Sequence, residues 1–283
     1  MAGASVTSNE AGLSVPDWPT SFGSLYRIPP MVGGVKFEHG HRMVAQFIGL
    51  LMIVLAVWTQ RVDRRPWMRA LGWAAVATVI AQGILGGITV LFYLPPAVST
   101  AHATLGQTFF CIVISMALFT GRGWVEDAPV LIAQSERPRL TTLSALAVCA
   151  VYVQLILGAA FRHSGMKLLP HLVSAVVVTV VLLWTCVHVF LRYARTPQLR
   201  KPAIALLVLL LVQLSLGFGS YLTRIEWGKG SPQPGMSTVL TTVAHVAAGA
   251  LVLATSAILA IQARRHTILE ETLLSKHSKA VAA

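Results

Sequence analysis

Read from its first residue, the chain opens on 37 positions in which Gly, Pro, Ser and scattered apolar residues alternate without period. It then changes character. Seven apolar runs follow, at about 39–60, 68–92, 98–120, 140–162, 169–192, 201–223 and 238–263. Each has the roughly 20 mostly apolar residues that carry a helix across a bilayer. The runs are long and unbroken. A membrane barrel would instead show strands of about ten residues with alternating polarity. The pattern predicts an all-α integral membrane protein with seven visible transmembrane helices.

Composition agrees. Only 11% of the 283 residues are charged, 55% are hydrophobic and the mean hydropathy is +0.70. A soluble domain carries about 25% charged residues, so a soluble enzyme, a disordered tail and a fibre are excluded. Residues 1–37 have no basic stretch leading into an apolar core, so they do not read as a signal peptide. The three cysteines, Cys111, Cys149 and Cys186, lie inside apolar runs and read as small buried thiols.

The net charge of +12 marks topology rather than nucleic acid. Fifteen of the 22 Lys and Arg residues fall between runs one and two, in 121–139, in 191–201 or after 263. Basic residues collect on the cytoplasmic side. This places 1–37 outside and the C-terminus in the cytoplasm.

An internal repeat organises the runs. Gln-x-x-Leu-Gly occurs at Gln82–Gly86, Gln154–Gly158 and Gln213–Gly217, near the outer ends of spans two, four and six. Packing and hydrogen bonding between helices suffice to explain these glutamines. The other four spans each carry a histidine near their outer start. Two equal halves need the order Gln, His, Gln, His, and the first half lacks its opening Gln-helix. Gly3-Ala4-Ser5 stands where Gly158-Ala159-Ala160 stands in span four. The expectation is therefore eight helices in two pseudo-symmetric four-helix half-bundles, residues 1–134 and 135–283. Met1 would lie within the last turns of a first helix whose bulk is missing from the sequence.

Of nine histidines, His266 and His277 fall in the C-terminal tail, His163 in an outer loop and His188 near the inner end of span five. Solvated or interfacial roles suffice for them. His39, His41, His102, His171 and His245 cluster at one depth. His39 and His41 are about 200° apart on a helix, so one of them faces the bundle. The sequence favours His41. It has a small residue four positions on, as do the others (Ala45, Gly106, Ala175, Gly249), and it shares Gln at i+5 with His102 (Gln46, Gln107).

Four histidines at matched depth read as axial ligands of haem iron, paired by the repeat as His41 with His102 and His171 with His245. The small residue one turn below would let a porphyrin edge approach. Zinc is the competing metal, and it requires three or four ligands converging on one tetrahedron. Glu38, one turn before His41, has no counterpart at the other three sites. It reads either as an acid at the first pocket or as an i,i+4 ion pair with Arg42. Arg42, Arg162 and Arg224 are candidate propionate contacts or plain interfacial anchors.

Glu38-His39-Gly40-His41-Arg42 resembles the Glu-x-x-His-Arg motif of the haem A synthase family. Ala11–Pro19, Gln82–Val90 and His102–Gln107 also resemble that family. The resemblance covers essentially the whole chain. It implies an oxidoreductase that converts haem O to haem A, oxidising a porphyrin methyl to a formyl by successive hydroxylations, for haem-copper oxidase assembly. It implies a resident haem b held by His171 and His245, and haem O as substrate between His41 and His102 with Glu38 as the catalytic residue. Haem O synthase or oxidase assembly proteins are the partners implied. There are two departures: residues 1–37 have no cysteine, whereas some members carry a pair there, and the first helix is absent. Two other readings stand beside this one. They are a di-haem bis-histidine cytochrome b, and a haem-handling assembly protein without chemistry.

Overall fold

A computed structural model describes residues 1–135, 137–228 and 233–269. Lys229, Lys276, Lys279 and His277, used above for topology and the histidine count, lie outside the described residues. Among the described residues, seven helices are long and apolar enough to cross a membrane. They are α2 (Val35–Val62), α3 (Pro66–Leu91), α4 (Pro96–Thr120), α6 (Leu140–Arg162), α7 (Leu168–Arg192), α8 (Pro197–Tyr221) and α9 (Met236–His266). Short helices α1 (Ala2–Ser8) and α5 (Arg122–Val125) complete the helical set, and a π-helical turn, Leu222–Glu226, extends α8. The protein is an all-α multi-pass membrane protein.

Local signals explain several ends. Pro66, Pro96 and Pro197 stand in the first turns of α3, α4 and α8, where a missing N–H costs nothing. The helix faces explain the setting. Phe47, Leu50, Val54 and Trp58 on α2, and Val173, Val176, Val180 and Trp184 on α7, are exposed. Apolar stripes of that extent belong against lipid.

Lipid is as apolar as leucine, so burial alone does not hold such helices together. Close packing and hydrogen bonds do. Two cores result. One joins α2, α3 and α4 through Met52, Ala56, Met68, Ala75 and Met116. There Gly72 brings α3 close to α2, and a Cβ on it would sit 3.5 Å from the Ala56 Cα. The second joins α6 to α9 through Leu182, Leu206, Leu253 and Leu259. Helix α4 packs on α6 and α9, and α1 packs on α2 and α9. Gly3-Ala4-Ser5 is helical, within α1.

At the inner ends the structure adds a feature that the apolar pattern does not show. Ile132–Gln134 (β1) pairs in parallel with Thr267–Leu269 (β2). Gln134 is buried; its amide donates to Thr267 Oγ1 and its Oε1 accepts the Leu140 N–H at 2.8 Å. The Arg265 guanidinium stacks over Trp124 at 4.1 Å and donates to the Asp127 carbonyl. This clip corrects one expectation. His266 is not solvated but 4% exposed, the last residue of α9, with Nδ1 3.3 Å from the Val130 carbonyl. The thiols divide as well: Cys186 is buried and Cys149 is exposed on the helix surface.

Candidate haem-binding and loop-capped sites

The repeat takes physical form in paired helices. In α3 and α4, Gln82 Nε2 donates to the His102 carbonyl at 2.9 Å, and the His102 Nδ1 meets the Gln82 carbonyl at 3.1 Å. In α8 and α9, His245 Nδ1 meets the Gln213 carbonyl at 3.2 Å. In α6 and α7, Gln154 Nε2 donates to the His171 carbonyl at 3.1 Å, and Ser174 Oγ donates to Gln154 Oε1. A carbonyl only accepts, so Nδ1 of His102 and of His245 carries the proton and Nε2 keeps its lone pair. That is how metal-binding imidazoles are oriented from behind.

The four histidines come together two by two. The His41 and His102 ring centres are 6.4 Å apart at an interplanar angle of 72°. Those of His171 and His245 are 6.3 Å apart at 88°. With a metal–imidazole bond of about 2 Å and about 1.1 Å from nitrogen to ring centre, two imidazoles across one iron have centres about 6.2 Å apart. Both pairs fit that span. Further groups are poised for a ligand: His41 Nδ1, Gln82 Oε1 and Gln213 Oε1 are buried without a hydrogen-bond partner, a costly state. In the second pair, Gln213 Nε2 lies 3.4 Å from His245 Nε2, so the amide would swing aside for a metal there. Among the described residues no three His, Cys, Asp or Glu side chains converge as zinc requires.

The small residues at i+4 do something other than the sequence suggests. A Cβ on Gly106 would lie 3.1 Å from Gln82 Nε2, and one on Gly249 3.2 Å from Gln213 Nε2. These glycines make room for the glutamine amides of the neighbouring helix. The residues that flank the imidazoles are Gly86, Gly158, Gly217 and Gly3. The repeat marks all four positions in the sequence, three by the fixed four-residue step from each Gln to its Gly and Gly3 by its match to Gly158, but it assigns the glycines no contact with a histidine.

The Glu-x-x-His-Arg segment divides its work by helix face. His41 turns to His102, whereas His39 Nδ1 meets Ser21 Oγ at 3.0 Å. Glu38 is 4% exposed. Its Oε1 accepts from Arg42 at 2.7 Å and its Oε2 accepts the Val15 N–H at 2.8 Å. The ion pair that the i,i+4 spacing allows is therefore formed. Arg42 also donates to the carbonyls of Asp17 (2.7 Å), Thr20 (2.9 Å) and Val15 (3.1 Å). Its Nη groups are thus engaged with the outer loop. Arg162 donates to the Ala4 carbonyl at 3.0 Å and to Ser8 Oγ at 2.5 Å, and Ser8 reaches Thr242 at 2.8 Å. Arg224 stands in the π turn after α8.

The loop so fastened is long. From Ser8 to Val35 it has 26 residues, against five between α6 and α7. Trp18 seats its indole on α3 at Gly87, where any Cβ would lie 2.4 Å from the ring. Gly87→Ala is expected to expel the indole from α3. A red-shifted Trp emission and faster proteolysis of the loop would show this, and an unchanged spectrum would count against the contact.

Asp17 organises the loop tip. Its carboxylate accepts from Thr20 Oγ1 and from the Gly23 and Phe22 N–H groups. Desolvation raises its pKa, but these bonds outweigh that and hold it below the ordinary carboxylate value. A depressed carboxylate stabilises the fold above its unfolded pKa and loses that contribution as pH falls through the folded value. Loop protection from protease is expected to hold at pH 5 and to weaken below the usual carboxylate range. Asp17→Asn would abolish this step.

Comparison with known proteins follows the same lines. Residues 35–170 match the model of a cytochrome oxidase assembly protein family. The haem A synthase of Symbiobacterium thermophilum is 32% identical over 170 residues, 58% of this chain and 54% of that protein. That of an Exiguobacterium species is 28% identical over 169 residues, 58% and 53% of the two chains. The haem A synthase of Bacillus licheniformis is 21% identical over 256 residues, 81% of this chain and 83% of its own. The chain spans about half the length of the first two of these relatives. No solved structure matches. The family match opens at Val35, where α2 begins, and closes at Pro170, so it holds Glu38, His41 and His102 and stops one residue before His171. Over that segment the chain is similar to a cytochrome oxidase assembly protein family and to bacterial haem A synthases.

Proposed function

We propose that the protein is a haem A synthase, an oxidoreductase that converts the methyl group of haem O to the formyl of haem A by successive hydroxylations, to supply haem-copper oxidase. The observation that carries the reading is the asymmetry between two otherwise equal histidine pairs. Only the first has a buried carboxylate one turn from its ligand and a fastened 26-residue loop beside it.

The roles follow from that asymmetry. His171 and His245, in the half 135–283, hold a resident haem b. His41 and His102, in the half 1–134, flank the substrate haem O, and Glu38 is the catalytic candidate at its edge. When bound, haem b supplies one-electron chemistry at its iron. The chain supplies the rest. Gln82 and Gln213 fix imidazole tautomers through their carbonyls. The loop held by Arg42 excludes water from the outer side. Glu38, gripped by Arg42 and the Val15 amide, is an anion within one turn of the substrate site that can accept or relay a proton. Arg162 and Arg224 remain the propionate candidates, since the Arg42 Nη groups are turned to the loop. The membrane is the bacterial inner membrane with 1–37 outside, and the partners are haem O synthase or oxidase assembly proteins.

The test is expression in cells that make haem O but no haem A, followed by extraction of their haems. Haem A accumulation supports the reading. Two stable low-spin haems with no new haem species would make the protein a di-haem cytochrome b, which the nearly equal pair geometries favour as the second reading.

A further inference from the structure

Four imidazoles lie against four glycines. A Cβ on Gly158 would sit 2.9 Å from His171 Cε1, one on Gly217 3.0 Å from His245 Cε1, and one on Gly86 3.1 Å from His102 Cε1. A Cβ on Gly3 would sit 3.3 Å from both Cε1 and Nε2 of His41. Real Cβ atoms essentially never come as close as the Gly158 contact, and the other three are tighter than nine in ten real contacts, so a larger residue presses on the ring at each position. The same contact recurs on α3, α6 and α8, and again on α1, which has no Gln-x-x-Leu-Gly sequence. One accident of packing does not repeat four times.

The torsion that turns an imidazole about Cβ–Cγ is broad and roughly two-fold. Something outside the side chain must therefore set the ring plane. For His102 and His245 a carbonyl holds Nδ1 from one side, and the glycine bounds the Cε1 edge. We propose that Gly86, Gly158, Gly217 and Gly3 are positioning residues that fix the planes of the four histidine rings, and with them the angle between the two ligand planes across each haem iron. The proposal rests on the haem reading above.

The angle has a spectroscopic consequence. When two axial imidazole planes are crossed, each ring interacts with a different iron d orbital. Those orbitals stay nearly equal in energy, and the ferric low-spin signal is strongly anisotropic, with a large maximum g value. As the planes approach parallel, the orbitals separate and the maximum g falls. The second pair stands at 88°. From there, rotation of either ring by more than a few degrees, in either direction, brings the planes nearer to parallel.

The experiment is low-temperature EPR of the purified full chain, with haem content measured alongside. Gly158→Ala and Gly217→Ala should each lower the maximum g of the resident haem. Gly83→Ala is the control, because a Cβ there meets nothing within 4 Å, and it should leave the signal unchanged. If Gly158→Ala, the tightest site, does not accumulate, Gly217→Ala carries the test with a smaller push. Haem-loaded Gly217→Ala and Gly158→Ala with the wild-type g value overturn the proposal. A wild-type protein with no low-spin haem at all would instead overturn the haem reading.

Discussion

Glu38→Gln is expected to keep the haem held by His171 and His245 while haem A formation falls by about a hundredfold, the usual contribution of a positioned acid or base. Gln preserves size and can accept one hydrogen bond, so the Val15 N–H keeps a partner. It removes the charge and the capacity to take up a proton. A purely structural Glu38 predicts otherwise. Loss of this buried i,i+4 pair costs stability, because the Arg42 charge is left without its counter-ion, and leaves the ratio of haem O, hydroxylated intermediate and haem A unchanged. Because both oxygens of Glu38 are engaged, loop loosening must be separated from lost chemistry. Trp18 emission does so, since it reports the seat on Gly87 and not the reaction. A normal product ratio with a shifted emission would reduce Glu38 to a loop fastener.

The second large effect is expected at His171 and His245. Replacing either with Ala should remove the b-type low-spin absorbance from purified protein, since each is one of the two proposed ligands, with ring centres 6.3 Å apart. His41→Ala, in the other pair, should leave that absorbance in place and reduce haem A. Full haem content in both His171→Ala and His245→Ala would refute the assignment of the resident site. Complete loss in His41→Ala would show the two pairs to be one interdependent unit.

Much of this was legible in the residues because a membrane makes the code simple. Backbone groups in lipid must bond within a helix, so apolar length alone places the spans. The seven predicted runs and the seven long helices agree within a few residues at most ends. That only one of His39 and His41 faces the bundle followed from period, and the choice of His41 rested on its small residue at i+4 and its Gln at i+5. The π turn at Leu222–Glu226 and the burial of His266 were not legible. Both depend on what the chain meets at its ends, which hydropathy does not encode.

By itself, the sequence determined the helices, their order, the Gln–His alternation and the candidate ligands, because each rests on spacing along one chain. Only the tertiary structure decided what those residues touch. It set the pairs that the repeat had suggested, His41 with His102 and His171 with His245, at ring separations of 6.4 and 6.3 Å. It turned Gly106 and Gly249 toward glutamine amides and gave the imidazoles to Gly86, Gly158, Gly217 and Gly3. It committed Arg42 to the loop and joined Glu38 to Val15 across 23 residues. Each of these contacts crosses between helices or between a helix and a loop. Its geometry is set by how two backbones approach, a quantity that no single stretch of sequence contains.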